Sequence, residues 1–582
     1  NVVWKDCYLN GAQIYTRCDA YTTCYNVYQL WNGCCSSSPP MQGRYTFVEN
    51  SYIDQNYSGH GLSVRANTYV AYSYVSHAGD RINRSNAGEA ILAEPPQGQI
   101  ATGKVLSADA RSVTLDFIGG KKLTASTLLH YNRFSVYITE GTGVGQYRFV
   151  ERVGTGEYAN RYVFLDGQKD WDIIPDETSS FYIGSPLNNL TVSHFKAYDT
   201  AGTICIYGQS MDTVVSDCTL VNTAGIGVWG IPVDGIKGGR IDAGMNVRIE
   251  RNDISGVSCH YDAGSNAAQG VGGILLVYSD GGNYAGMLMS NIIIRDNYLH
   301  DLLPEVPSYD DHKWTMGTGL AFYSKVTKGQ GNPNCARYLV AENNVIEDSE
   351  WGIYVDRMAT GVYLNNNTVT GTTLNPEGTL IYRPTGFVSK NRHEFYVNGK
   401  LSDLSGDYAY EDELPSAPAN GDKVFFGWTT DENFTADSPI ITRAFGTNVK
   451  LYAVYGYEVV FDYNYKKSDG SERGEYITSK TLAGGTVKKA LEENGDPFRM
   501  GDEFEGWYTD KECTQKFDPN TAINSNIRVY AKWSSMNNGS DSSSAVRGGC
   551  GCGGCNGNIG GYSILIVALA VSVIIVAKKR KA

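Results

Sequence analysis

The sequence predicts an all-β protein: a parallel β-helix interrupted by a small β-barrel, then two small repeat modules and one transmembrane helix. Three observations lead there. A six-residue pattern (apolar, two variable residues, Asn or Asp, one variable, apolar) recurs, with successive copies 23 or 24 residues apart at 47 to 70, 192 to 215 and 340 to 364. A glycine followed by apolar alternation comes after most copies, as in Gly61-Leu62-Ser63-Val64 and Gly352-Ile353-Tyr354-Val355. The pattern stops between Leu92 and Ser185 and again after Gly386, and the chain closes on an apolar run with a basic tail. A fixed period of roughly 20–50 residues with strand-like content signals a solenoid.

Clear copies occupy 47–52, 215–220, 249–254, 294–299, 340–345 and 364–369, with looser ones starting at Val3, Val70 and Val192. Two short strands per coil are expected, separated by Gly/Asn/Asp turns. One residue separates the Asn from the final apolar residue, and stacking should align these amides into a hydrogen-bonded row. Seven residues into the pattern stand Asp54, His77, Asp199, Asn222, Asp301 and Glu347, read as a second, turn-forming column, with a catalytic column as the alternative.

With its V-x-x-N-x-V and G-I-x-V strands, the pattern resembles the right-handed β-helix domains of the pectin-lyase-like superfamily, over residues 1–92 and 185–390. The resemblance implies a right-handed solenoid. It leaves the activity open, because that superfamily holds lyases, hydrolases, phage tailspikes and adhesins.

Between the two β-helical stretches, residues 93–184 alternate as short strands, among them Ser112-Val113-Thr114-Leu115 and Tyr162-Val163-Phe164-Leu165, and predict an inserted β-barrel. Its loop Gly141-Thr142-Gly143-Val144-Gly145 is glycine-rich, but a strand follows where a phosphate loop needs a helix. Residues 391–456 and 457–533 align with each other: Phe426-Gly427-Trp428 matches Glu505-Gly506-Trp507, and Leu451-Tyr452-Ala453 matches Val529-Tyr530-Ala531. They resemble the Listeria–Bacteroides surface repeat (internalin B-repeat type), which implies β-grasp-like modules on a bacterial surface, their Trp residues plugging the cores.

A flexible Gly/Ser/Cys linker (534–558) leads to the apolar stretch 559–577 and the basic tail 578–582. The stretch suffices for one membrane span, and the tail places the C-terminus in the cytoplasm with the rest outside. The Cys-containing Gly tract is similar to motifs before bacterial C-terminal sorting tails, without an LPxTG sequence. The chain opens inside a coil without Met, which reads as a processed or truncated piece. A net charge of −13 argues against nucleic acid or anionic polymer as a bulk partner, while leaving room for a local basic pocket. Thirteen Cys give no clean disulfide framework, though the N-terminal coils could hold one or two bridges. Cys218 is expected to face inward as a small apolar residue.

Lengthened turns at 256–272 and 300–318 should stack on one edge of the solenoid, and those at 230–246 and 279–290 on another. The first edge carries His260, Asp262, Asp310, Asp311 and His312, and Asp80 stands in the same phase of its coil. Carboxylates with histidines could act as acid and base in glycoside hydrolysis, or hold Ca²⁺ through oxygen ligands; no other metal or cofactor is indicated. Asp80 before a barrel insert is similar to a family of β-helical exo-α-galactosidases; there two acids are usually adjacent, whereas Arg81 fills the second position here. A lyase would instead need a cation to neutralise a uronate, for which Lys237, Arg240 and Lys313 are candidates. Just after the second-strand signature come Arg65, Trp229, Tyr323 and Asp356, expected to point outward, joined by Tyr207 and Tyr278 if the register slips by one. Outward aromatics offer stacking surfaces for sugar rings. The reading is a bacterial surface protein, membrane-anchored at its C-terminus, that recognises extracellular polysaccharide and, in its enzymatic form, cleaves it as a glycoside hydrolase or lyase. The alternative is a non-catalytic adhesin for host or microbial glycans.

Overall fold

In a computed structural model, the described residues are 2–10, 16–25, 28–30, 41–54, 60–64, 67–78, 88–93, 101–120, 134–164, 167–184, 187–200, 202–207, 209–230, 243–257, 272–278, 289–303, 317–324, 336–356, 359–373, 378–382 and 386–535. The solenoid has three parallel sheets rather than two strands per coil. One runs through Thr68–Ala71, Leu187–Ser193, Gln209–Ser216, Ala243–Glu250, Met289–Arg295, Ala336–Glu342 and Ala359–Asn365. The second includes Tyr74–Ser76, Lys196–Tyr198, Thr219–Thr223, Asp253–Val257, Tyr298–Leu302 and Val345–Ser349. The third includes Leu62–Val64, Ile91–Ala93, Ile204–Ile206, Ile226–Gly230, Gly272–Tyr278, Thr318–Ser324 and Trp351–Val355. Val215, Ile249, Ile294, Ala341 and Leu364 lie side by side on successive rungs, all buried in one continuous core.

The six-residue pattern therefore straddles a corner. Its first apolar residue ends a strand of the first sheet and its last lies in the second sheet, with the Asn in the bend between. The residue before the Asn position makes the bend: Asn50, Tyr72, His194, Asp217, Arg251, Asp296, Asn343 and Asn366 have φ between 47° and 56°, the left-handed region that Asn and Asp tolerate best. Asn252, Asn297, Asn344 and Asn367 form the expected ladder. Each of the first three donates Nδ2 to the next Oδ1 at 2.9 Å. The same amides also reach the carbonyls of Val215, Ile249, Ile294 and Ala341 at 2.9–3.1 Å. Cys218 takes an Asn position, is buried, and donates its backbone N–H to Asn252 Oδ1.

Two copies are displaced by one residue from the expected frame. Val48 and Ala341 point inward, fully buried, whereas Phe47 is 41% exposed. Apolar residues stand at both neighbouring positions, and the smaller or β-branched one takes the core. The same slip corrects the turn column: His77, Asp199, Asn222, Asp301 and Asp348 occupy it with φ of 50–54°. Asp54 and Glu347 sit one residue earlier, in strands beside Ser76 and His300.

Six antiparallel strands from Ala101–Asp109 to Ser180–Gly184 close into a barrel inserted where the chain passes from the third sheet to the first. Val136, Ile138, Leu115, Tyr162 and Phe181 fill it. Its outer side lies on the first sheet: Tyr137 and Tyr182 pack with Met211 and Met245, Tyr137 Oη meets Ser290 Oγ at 3.3 Å, and Glu140 pairs with Arg337 at 2.8 Å.

At the other end, Val388–Val397 pairs in parallel with Ala359–Asn365 and then enters the first repeat module, beside Val449–Asp462. Asn391 is the ladder's last rung, its Oδ1 accepting from Asn367 N at 3.3 Å. Asn448 of the module donates to Asn366 Oδ1 at 2.9 Å. The 14-residue strand Val449–Asp462 serves both modules, so the expected boundaries at 390 and 456 both fall inside continuous strands. Trp428 and Trp507 plug the two cores, the former donating its indole N–H to Pro415 O at 2.7 Å.

Among the described residues no helix is long and apolar enough to cross a membrane, and the 559–577 stretch lies outside them. Cys7, Cys205, Cys218 and Cys513 are free thiols. The side chains of the other N-terminal cysteines lie outside the described residues.

Candidate functional site

The outer face of the third sheet carries two rows. One runs Ser63, Leu92, Cys205, Gly227, Leu275, Ala321, Tyr354; the other follows Tyr207, Trp229, Val277, Tyr323 and Asp356. Their middle is apolar and buried: Leu92, Cys205, Tyr207, Trp229, Leu275, Val277 and Ala321 form one cluster. Tyr207 and Trp229 stack with ring centroids 5.3 Å apart. Among the described residues the buried Trp229 indole N–H meets no acceptor, an uncommon state for a Trp. Toward the C-terminal end the face opens. Tyr323, Tyr354 and Asp356 are half-buried and Tyr382 is 51% exposed. Tyr354 Oη donates to Asp356 Oδ2 at 3.4 Å and its ring meets Tyr382 edge-on at 6.0 Å. Burial, then the Asp356 charge, pushes the Tyr323 hydroxyl up to about 12, so it stays a donor at neutral pH.

The sequence-derived aromatic column is thus present but altered. Trp229 faces outward yet is buried. Tyr278 is a correction: Val277 takes the outward position, and Tyr278 turns into the solenoid core, its hydroxyl donating to Phe322 O at 3.2 Å. The adjacent Gly272 and Gly273 let the sequence be framed either way. Arg65 lies outside the described residues, as do Asp80, His260, Asp262, Asp310, Asp311 and His312.

What is described is where their turns are anchored. Asp262 lies between Asp253–Val257 and Gly272–Tyr278; Asp310 and Asp311 lie between Tyr298–Leu302 and Thr318–Ser324. These anchors pair directly, one rung or about 5 Å apart. Asp80 lies between Tyr74–Ser76 and Ile91–Ala93, three rungs or about 14 Å from the anchors of Asp262. Each of the three segments follows a strand of the second sheet and precedes one of the third.

Two clusters escaped the sequence reading. At the head of the third sheet, Glu89 is 2% exposed and is held by His60 Nδ1. On the second sheet, His300 bridges Asp301 at 2.7 Å and Asp253 at 3.0 Å, stacked on Tyr298 at 4.3 Å, while Tyr298 Oη donates to Glu347 at 2.7 Å. Partial burial pulls the His300 imidazole down, but the two carboxylates outweigh it and hold the ring above its ordinary value. A signal existed for this cluster: Asp253, Tyr298 and His300 fall at the outward phase of neighbouring coils. Among the described residues no group of three or more His, Cys, Asp or Glu side chains is arranged to hold a metal ion.

The Listeria-Bacteroides repeat domain model matches residues 394–454 and 457–532. Two repeat modules are present. Two Evansella cellulosilytica proteins with provisional names, a membrane protein and a Gly-rich membrane protein, are 29% and 28% identical over 145 and 143 residues. Each match covers 24% of this chain, and the chain spans only 20% and 16% of those relatives' length. Among solved structures, the tailspike protein gp49 from Pseudomonas phage LKA1 aligns with TM-score 0.21 at 11% identity, covering 57% of this chain and 53% of that one. The Gp54 tailspike of Acinetobacter baumannii bacteriophage AP22, in complex with A. baumannii capsular saccharide, aligns with TM-score 0.18 at 11% identity over 60% and 53%.

Proposed function

We propose that the protein recognises extracellular polysaccharide at a bacterial cell surface, anchored by its C-terminal apolar segment, and that the outer face of the third sheet is the binding floor. The observation that carries this reading is the open Tyr323–Tyr354–Tyr382 group with Asp356 among the rings. Aromatic faces take the apolar side of a pyranose, and a carboxylate takes its hydroxyls. Cleavage is assigned to Asp262 with Asp310 or Asp311, because their anchors are neighbouring rungs and hydrolysis needs carboxyls about 5–10 Å apart. Asp80, whose flanking strand Tyr74–Ser76 is three rungs from Asp253–Val257, is left a binding role, as are His260 and His312. Surface location is supported by the repeat modules and by the membrane-protein names of the two relatives.

A non-catalytic adhesin is the second reading, and one observation favours it. Between the coil of Glu89 and Asp356, the described floor bears no charged side chain, so any acid or base must come from the rim. The test is binding of the full chain to a glycan array, with release of reducing ends or unsaturated products measured beside it. Tyr354→Ala combined with Tyr382→Ala should weaken binding about tenfold; unchanged binding removes this floor from the proposal. The triple variant D262N/D310N/D311N should lose turnover and keep binding. A wild-type chain that binds without turnover leaves the adhesin.

A further inference from the structure

We propose that the seam between the inserted barrel and the first sheet is a second saccharide subsite, which holds a carboxylate-bearing pyranose, a hexuronate, through Arg248. The proposal rests on the polysaccharide reading above but uses a different face of the solenoid.

A cleft of about 290 Å³ lies there, lined by Asp212, Thr213, Val214, Asn246, Arg248 and Asn291, with Ile293 on the next rung. It borders the barrel's docking face, and ligand sites favour such junctions between units. Its polar wall is a row of left-handed bulge residues, Asp212, Asn246 and Asn291, with φ of 53–54°. Asn291 Nδ2 donates to Asn246 Oδ1 at 2.9 Å, and Asn246 Nδ2 to Asp212 Oδ1 at 3.3 Å. Tyr147 of the barrel donates its hydroxyl to Asp212 Oδ2. The Asp212 carboxylate is therefore engaged on both oxygens. Each asparagine still has a second amide N–H, and Asn291 Oδ1 can accept. Val214, Arg248 and Ile293 stand side by side on three rungs, giving an apolar strip on either side of the guanidinium.

The charge pattern sets the ligand class. Arg295 is paired with Glu250 at 2.8 Å, Arg251 with Asp217 and Glu250 at 2.9 and 3.0 Å, and Arg337 with Glu140 at 2.8 Å. Arg248 is exposed and makes no ion pair among the described residues. Among the described residues it is the one cation of the cleft, which is of monosaccharide scale and rich in hydrogen-bonding groups. A guanidinium binds a carboxylate through two parallel N–H···O bonds. The apolar strip beside it suits the C–H face of a pyranose, and the amide row its hydroxyls. Arg248 is thus a local cation that a net charge of −13 otherwise obscures, with the Asp212 carboxylate of the same cleft held by Tyr147 and Asn246.

The experiment is calorimetric titration of the full chain with three uronate tetrasaccharides (galacturonate, mannuronate, and glucuronate alternating with N-acetylglucosamine) and with their carboxyl-reduced, neutral counterparts. At least one acidic probe should bind the wild type about tenfold tighter than its neutral counterpart. R248A should erase that difference, and R248K should restore part of it. Arg248 is exposed, so R248A should leave the unfolding temperature unchanged. Equal affinity for acidic and neutral probes, or an acidic preference that survives R248A, overturns the proposal. Combining Tyr354→Ala with Tyr382→Ala separates the two sites. If that pair abolishes binding while R248A changes nothing, the third-sheet reading stands and the seam site falls; if R248A alone removes binding, the seam site stands without it.

Discussion

Asn297→Ala should be among the most damaging single substitutions in the solenoid. Asn297 is 1% exposed, and its side chain makes four hydrogen bonds. It donates to Asn344 Oδ1 at 2.9 Å and Ile249 O at 3.0 Å, and accepts from Asn252 N at 3.0 Å and Asn252 Nδ2 at 2.9 Å. Some partners keep an alternative: Asn252 Nδ2 still reaches Val215 O, and Asn344 Oδ1 still receives the Asn297 backbone N–H. The backbone N–H of Asn252 loses its amide acceptor, and Ile249 O loses its amide donor. Each buried polar group stripped of a partner costs about 1–3 kcal/mol, so the loss should be about 3–5 kcal/mol. Asn391, at the ladder's end, makes longer bonds of 3.3 and 3.4 Å, and N391A should cost about 1 kcal/mol. Asn297→Asp should cost at least as much as N297A, because a carboxylate cannot donate to the two oxygens it faces. Urea unfolding followed by circular dichroism reads the midpoint of the solenoid transition. A loss below about 1 kcal/mol for N297A, or an N391A loss as large, would refute the ladder as a cooperative element.

Three further outcomes are expected. Gly225→Ala should lower solenoid stability by about 2 kcal/mol or more in urea unfolding, because φ is +74° and a Cβ would stand 2.1 Å from the Gly272 and Gly273 carbonyls; G145A, at φ +91° with open space, should cost only about 1 kcal/mol in the same measurement. His393 is fully buried between the Asn391 carbonyl and the Phe445 N–H, each at 3.0 Å, and burial holds its imidazole below the ordinary value. The unfolded chain therefore binds the extra proton, and this contribution is present above about pH 6.5 and falls as the pH drops below it; H393Q should flatten that slope in urea titrations between pH 8 and 5, and an unchanged slope counts against it. His300 works in the opposite sense, its contribution present below about pH 6.5 and lost as the pH rises through its raised value, so H300Q should remove an acid-side gain in solenoid stability.

The parallel stack was legible because its cause is periodic: an inward apolar residue on every coil and an Asn at the same corner of successive coils from Asn252 to Asn391. The two repeat modules were legible because their Trp and Tyr positions recur. What the period does not determine was misread. At Phe47/Val48 and Val340/Ala341 two apolar neighbours compete for one inward position, and alternation alone cannot choose between them. Tyr278 failed for the same reason, beside two glycines that fit either frame. The barrel's docking face was illegible because its strands are covered on both sides: Tyr137 and Tyr182 alternate with Val136 and Ile183, and all four are buried. Such a strand says only that both faces are covered, not by what. The seam cleft follows from that docking, so no spacing in the sequence could have announced Arg248. The acidic candidates were chosen from long turns, where no periodicity ties a residue to a place.

The junction at residue 390 carries a consequence for how the chain can be divided. A solenoid end presents open strand edges and needs a cap. Here the first repeat module supplies it. Val388–Val397 covers the edge of Ala359–Asn365, Asn391 ends the ladder, and Asn448 bonds Asn367 O at 2.6 Å, Asn366 Oδ1 at 2.9 Å and Thr368 Oγ1 at 3.2 Å. A chain ending at 385 removes all of these and bares the last rung, whereas one ending at 456 keeps them. The shorter chain should therefore self-associate, and the longer one should stay monomeric in light scattering at equal concentration. Cutting at 456 also divides the shared strand Val449–Asp462 where Gly456 admits no side chain: a Cβ there would lie 2.3 Å from Thr481 O. If the chain ending at 385 is as soluble and as stable as the one ending at 456, the module is a passive spacer, and the solenoid must end its own edge some other way.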